Sequence, residues 1–183
     1  HKYRGNPWKE YYRISSQVTP FLAARVLIEK DSGEKNRYDH VTGYASLTNK
    51  EESLKIVCGD FYLTAGRGLV FRGPYGSFKN ADINSSVRKK PGKIRGYSLS
   101  DENSNMRGIG LQAERNQVNL TLFLSNTRLD ARFNDDGTIR TFPSSGLHRT
   151  EGEENAREKA AEKAAGGRVT FAAERWSVGI SGW

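Results

Sequence analysis

Apolar residues recur along this chain mostly at every second position, the period of a strand with two unlike faces. Leu22, Ala24, Val26 and Ile28 share one face, and Arg25 and Glu29 stand on the other. Val57, Phe61 and Leu63 alternate with Asp60, Tyr62 and Thr64. Val118, Leu120, Leu122 and Leu124 alternate with Asn119, Thr121 and Ser125. Val169, Phe171 and Ala173 alternate with Arg168, Thr170 and Glu174, and Trp176, Val178 and Ile180 with Ser177 and Ser181. The pattern predicts strands near 10–17, 20–30, 38–47, 54–65, 106–114, 117–131, 168–174 and 176–183. Alternation alone does not decide between a protein core and lipid, because a soluble sandwich alternates in the same way.

The links between these strands discriminate better. Val18-Thr19-Pro20, Asn49-Lys50-Glu51-Glu52, Arg115-Asn116 and Glu174-Arg175 are short, whereas 31–37, 66–105 and 132–167 are longer. If the strands run up and down, every short link falls on one side and every longer one on the other. Outer-membrane barrels have this asymmetry. The strands also approach the 9–11 residues, roughly, of a tilted membrane strand rather than the shorter soluble norm. Trp8, Tyr11, Tyr12, Trp176 and Trp183 lie near strand ends, where an interfacial girdle would place them.

One segment breaks the period. Thr150 and Glu153 have capping-box spacing, and Glu151, Glu153 and Glu154 suit the positive end of a helix dipole. The Ala-rich run 155–165 favours helix, with Gly166-Gly167 as its stop. The spacing therefore predicts a short extramembrane helix over 151–165.

Composition changes this picture little. Of 183 residues only 36% are hydrophobic, lower than a soluble α/β enzyme usually carries but compatible with a barrel that is apolar on one face. No run approaches the roughly 20 apolar residues of a transmembrane helix. The opening HKYRGNPWKE has no apolar signal region, so His1 reads as the start of a mature or trimmed piece. The single Cys58 has no internal disulfide partner and says nothing of compartment. The net charge of +8 fits a solvated basic surface or contact with polyanions, and charge alone names neither fold nor site.

Three segments look unlike generic strand or loop: Gly59-Asp60-Phe61 with Gly66-Arg67-Gly68-Leu69, Glu102 with Arg107-Gly108, and Ser145-Gly146-Leu147-His148-Arg149-Thr150. Upstream stand Glu29-Lys30-Asp31-Ser32-Gly33-Glu34 and Tyr38-Asp39 to Gly43-Tyr44, and downstream the pair Gly166-Gly167. Taken in order, these resemble the barrel region of helix-hairpin-helix domain-containing outer-membrane proteins of Bacteroidota and Chlorobi type. The resemblance spans roughly residues 20–175. It implies an all-β, antiparallel up-and-down transmembrane barrel, or a segment of a larger one. Arg67 replaces that family's usual Gln, so no role carries over to this position. The helix-hairpin-helix region is absent from residues 1–183, so the DNA contact in the family's name falls on no residue here.

The polar clusters have two readings each. His148 with Glu151 or Glu153 could act as a general base, but a loop anchor made by His148, Arg149 and Thr150 is the simpler assignment. No nucleophile elbow or HExxH pattern is present, and His1, His40 and His148 lack metal-ligand spacing. The expectation is no enzyme, no metal and no cofactor. Arg88, Lys89, Lys90, Lys93 and Arg95 form a basic run near Tyr75, Phe78 and Tyr97, a polyanion contact or a solvated loop. Arg25, Asp60, Glu114, Arg168 and Glu174 are expected to face a barrel lumen, where charges pair across the wall.

The sequence thus points to a non-enzymatic barrel of the bacterial outer membrane, acting as a channel, a transport component or a scaffold. Its expected partners are outer-membrane lipid and other envelope proteins or further strands of the same barrel. Two alternatives are a surface-exposed subunit of a larger envelope assembly and a soluble basic β-protein that binds nucleic acid.

Overall fold

The computed structural model describes residues 3–64, 93–102 and 105–183. The chain is all-β and mostly antiparallel. Its strands are β1 (Glu10–Thr19), β2 (Leu22–Lys30), β3 (His40–Thr48), β4 (Leu54–Leu63), β5 (Ile94–Gly96), β6 (Met106–Arg115), β7 (Val118–Leu129), β8 (Arg132–Phe133), β9 (Ile139–Thr141), β10 (Ala160–Ala172) and β11 (Ser177–Gly182). One helix, α1 (Glu151–Glu154), lies among them. The main sheet runs β1-β2-β3-β4-β6-β7-β10-β11, with β5 joined to β4, and β8 and β9 make a separate hairpin. Among the described residues β1 and β11 pair with one neighbour each and not with each other, so the sheet is open.

Each pairing along that path is antiparallel. Turns 19–22, 48–54, 115–118 and 172–177 therefore lie on one side of the sheet. Connections 30–40 and 129–160 lie on the other, with the segment 3–9.

Directly opposed residues of an antiparallel sheet share a face, so the registers sort the two faces. One carries Ile14, Val26, Leu47, Ile56, Cys58, Ile109, Leu111, Leu120, Leu122, Leu124, Val169, Val178 and Ile180. This face is apolar and bare: Ile180 is 79% exposed, Ile14 66% and Leu124 60%. The other carries Arg13, Arg25, Thr42, Ser46, Lys55, Gln112, Glu114, Asn119, Thr121, Ser125 and Arg168.

The buried apolar core sits on the polar face, where β5 covers the wall. Val57, Phe61, Leu63, Ile94 and Phe123 form it, with Tyr44, Met106 and Ala164 packed against it. Burial of each large side chain contributes about 1.5–3 kcal/mol. A Cβ on Gly110 would stand 2.9 Å from the Ile94 side chain, and one on Gly96 2.2 Å from the Tyr44 ring. Those glycines let β5 approach the wall. Val57, Phe61 and Leu63 share one face of β4, as their alternation predicts, and it is the covered side, where β5 gives them an apolar partner. The bare side of β4 carries Leu54, Ile56 and Cys58.

Gly59 makes that turn away from β3 feasible. Its φ is 102°, and an added Cβ would stand 2.4 Å from the Gly43 carbonyl oxygen. The β3–β4 register ends at Tyr44 and Gly59, and Asp60 Oδ2 then accepts the Gly43 N–H at 2.8 Å. Gly59→Ala is expected to cost at least about 1–3 kcal/mol from the backbone angle alone. Urea denaturation measures it, and a loss under about 0.5 kcal/mol would show that β3 and β4 separate freely.

The expected helix over 151–165 is helix only at its start and strand from Ala160 on. The capping box is present, but the helix ends at Glu154. Glu158 has a φ of 49°, and its N–H donates to Asp130 Oδ1 at 2.9 Å. From there Ala160 to Phe171 pair with Leu129 to Val118 of β7. Alanine's helix preference, some tenths of a kcal/mol per residue, is outweighed by a full ladder with a formed neighbouring strand. Gly166 does not stop a helix: a Cβ there would meet the Phe123 ring at 2.8 Å.

Candidate functional site

Residues distant in the chain meet on the long-connection side. His148 is 3% exposed and lies between two carboxylates. Its Nδ1 is 2.5 Å from Asp39 Oδ2, and its Nε2 is 2.8 Å from Asp130 Oδ2. Asp39 follows the 31–38 connection, and Asp130 directly follows β7. Arg157 donates from Nη1 to Asp39 Oδ1 at 2.7 Å and from Nη2 to the Asp39 carbonyl at 2.6 Å. Glu34 accepts the His148 backbone N–H on Oε1 at 2.9 Å and the Asp31 N–H on Oε2 at 2.7 Å. Glu102 stands beside the group, its Oε1 3.5 Å from His40 Nδ1. A cavity of about 240 Å³ opens among Asp39, Glu102, Arg107, Asp130, His148 and Arg157.

The electrostatics follow from this packing. Burial alone would lower the His148 pKa, but hydrogen bonds to Asp130 and Asp39 overcome it and lift the group to about 10. The ring is an imidazolium at neutral pH, donating from both nitrogens. Burial would raise Asp130, yet the bonds from His148 and the Glu158 N–H hold it below the usual carboxylate range. Burial pushes Glu102 up to about 8; the His148 charge opposes this, while Asp39, Asp130 and Glu34 reinforce it. Burial also raises Glu34, against the two backbone N–H groups it accepts.

Neighbouring contacts brace the cluster. Glu153 Oε2 accepts the N–H groups of Arg149 and Thr150, both at 2.9 Å. The Arg149 guanidinium lies 5.0 Å from the Tyr3 ring centroid, and its Nη2 is 3.6 Å from Glu153 Oε1. The segment 3–9 closes over this side: Arg4 N–H reaches the Arg149 carbonyl at 2.9 Å, and Gly5 N–H the Gly33 carbonyl at 2.8 Å. Buried Lys30 donates from Nζ to Asn6 Oδ1 and to the Trp8 and Asp31 carbonyls.

Glu34, Asp39 and His148 lie close enough to hold a metal ion, as do Glu102, Asp130 and His148. Both groups would have to take a nitrogen of His148 that already donates to a carboxylate. A cation there would displace an existing charge-assisted bond, so the donor set does not fit a resident metal. For the same reason His148 has no nitrogen free to accept a proton as a general base, and Glu153 is engaged with Thr150 in the capping box of α1.

The other sequence-singled residues fall elsewhere. Arg25, Glu114 and Arg168 stand on the polar face, and Arg168 Nε donates to Thr170 Oγ1 at 2.9 Å. Asp60 does not project from that face. It is 2% exposed at the long-connection end of β4, where Arg107 Nε reaches its Oδ1 at 2.7 Å. The bend at Gly59 redirects it into the sheet. Glu174 lies in the exposed turn between β10 and β11, beyond the strand whose alternation suggested a face for it. Arg88, Lys89 and Lys90 lie outside the described residues. Lys93 and Arg95 are described, at and beside β5 over the polar face. Sequence reasoning singled out neither Asp130 nor Arg157, and it noted Glu34 and Asp39 only as parts of the ordered motifs, with no site role.

No protein-family model, curated protein or solved structure matches this chain.

Proposed function

We propose that this chain forms part of the wall of a bacterial outer-membrane β-barrel, of the kind its ordered motifs resemble, with a transport or scaffold role and no catalysis. The observation that carries the reading is the apolar face, bare across all eight strands of the sheet path while the opposite face is polar. At strand spacings of roughly 4.8 Å and a height of about 30 Å, that face covers on the order of 1,000 Å². The largest patch on a soluble monomer is roughly 300–600 Å². Lipid is the solvent that suits such a surface. Aromatic side chains stand at both rims. Phe21, Phe171 and Trp176 lie at the short turns, and Trp8, Tyr12 and Trp183 at the opposite side.

In this reading the polar face lines the lumen, β5 narrows it, and the His148 cluster ties the outer loops together. The free edges of β1 and β11 are completed by further strands. No described helix is long and apolar enough to cross a membrane.

Cys58 provides the test. It is free and exposed, and it sits on the apolar face between Ala45 and Ile109. In chain reconstituted into liposomes, a charged thiol reagent should leave Cys58 unlabelled until the protein is denatured in SDS. Equal labelling before and after denaturation would place that face in water and sink the proposal.

A further inference from the structure

The polar face holds a second cavity, of about 490 Å³, near the short turns. Strands β3, β4 and β6 form its wall and β5 its cover. Lys55 reaches it from the wall, Lys93 and Arg95 from the cover, and Lys50 from the adjoining turn. Two carboxylates, Glu52 and Glu114, also line it. Glu114 is engaged already, its Oε1 accepting from Gln112 at 2.7 Å and Asn119 at 2.6 Å. Among the described residues none of Lys55, Lys93 and Arg95 forms an ion pair with a carboxylate. Burial lowers the Lys55 pKa, the charges of Arg95 and Lys93 lower it further, and Glu52 opposes them.

This grouping is built by the fold. Arg95 is held opposite Tyr62 and Ile94 opposite Leu63. The Ile94 N–H donates to Gln112 Oε1 at 3.2 Å, and Lys55 stands opposite both Thr48 and Gln112 in the wall. Three cations brought together repel one another; Glu52 and Glu114 offset this in part, and an anion among the cations relieves the rest. Cationic side chains lining a passage are also the usual basis of anion selectivity. A cavity of this size lies within the range of roughly 300–1,000 Å³ that holds small ligands.

We propose that this cavity binds a small soluble oxyanion, a phosphate or carboxylate solute, through Lys55, Lys93 and Arg95. The assignment deepens the barrel reading and rests on it for its meaning, since it makes the solute of the lumen anionic.

The test uses the full chain folded in detergent micelles and inorganic pyrophosphate as the probe, with binding measured by equilibrium dialysis. Saturable binding is expected, weakening as salt is raised. Lys55→Gln, Lys93→Gln and Arg95→Gln together should weaken it at least about ten-fold, since each removes a charge-assisted contact. The double variant Lys93→Gln, Arg95→Gln alters only exposed side chains, so it reports on the site even if Lys55→Gln disturbs the fold. Lys55→Arg should retain binding. Absence of saturable binding to the unaltered chain, or a double variant as tight as the parent, would overturn the proposal. Vesicles with phosphatidic acid should compete no better than vesicles of phosphatidylcholine alone. Competition by the former would assign the site to a lipid phosphate and overturn the soluble-solute assignment. Co-flotation with liposomes, scored separately, tells the two readings apart. Protein that floats without binding pyrophosphate sinks this site, and protein that binds without floating sinks the barrel.

Discussion

Replacing His148 with Leu is expected to loosen the whole long-connection side of the molecule, at a cost of about 3–5 kcal/mol. The residue is the cation between Asp39 and Asp130, at 2.5 and 2.8 Å. Leucine fills similar space but leaves those carboxylates without their shared partner, with Glu34 and Glu102 close by. Arg157 bonds directly to Asp39, and its charge reaches Asp130 without a hydrogen bond. The loss should be local, because β1 to β4 and β6 to β11 keep their ladders. Hydrogen exchange at the amides of His148 and Glu158, against those of β7, separates the two. A loss below about 1 kcal/mol would show that solvent already screens the cluster.

The same cluster gives a pH dependence with a definite sign. His148 is raised from 6.5 to about 10. Its stabilisation is therefore complete below 6.5 and is lost as pH rises toward 10. Glu102 is raised from 4.5 to about 8. The folded state keeps a proton that the unfolded chain has released, so stability falls as pH climbs from 4.5 to 8. The windows overlap between 6.5 and 8, where protection of these loops should fall most steeply. Glu102→Gln should remove the lower limb of the decline and leave the upper one.

The strands and the sorting of turns were legible because period two is a local pattern, as in Val118 to Leu124. The parts that escaped depend on partners far along the chain. Ala160 to Ala165 read as helix because propensity belongs to the residue, whereas the ladder to β7 belongs to the fold. Strand β5 is three residues long and carries no period. Its presence over the polar face explains why Phe61 and Leu63 point the other way from the apolar positions of β2 and β7. The His148 cluster was half visible. The capping box of Thr150 and Glu153 is a local spacing, and the ordered motifs marked Glu34, Asp39, Glu102 and His148. Nothing in the sequence placed Asp39, Asp130 and His148 together, because each taken alone is an ordinary polar residue of a loop.

Leu122→Arg sets lipid against water for the apolar face. Leu122 lies near the middle of β7, opposite Leu111 on one side and Gly167 on the other. It is 46% exposed, so an arginine has room there and overpacking does not obscure the result. If the face meets lipid, the guanidinium must enter hydrocarbon or drag water with it, at a cost of about 2–4 kcal/mol near the midplane. If the face meets water, the exchange of an exposed leucine for arginine should stay within about 0.5 kcal/mol. Asn119→Arg is the comparison on the opposite face. Asn119 donates to Glu114 Oε1 at 2.6 Å, so an arginine there meets a carboxylate and should cost no more than about 1 kcal/mol. Thr121 is unsuitable for the purpose, being 1% exposed and unable to admit the larger side chain in either setting. Urea titration of the chain folded into vesicles measures both variants. A large loss for Leu122→Arg beside a small one for Asn119→Arg is the outcome a lipid-facing wall requires, and equal losses would take the apolar face out of the membrane.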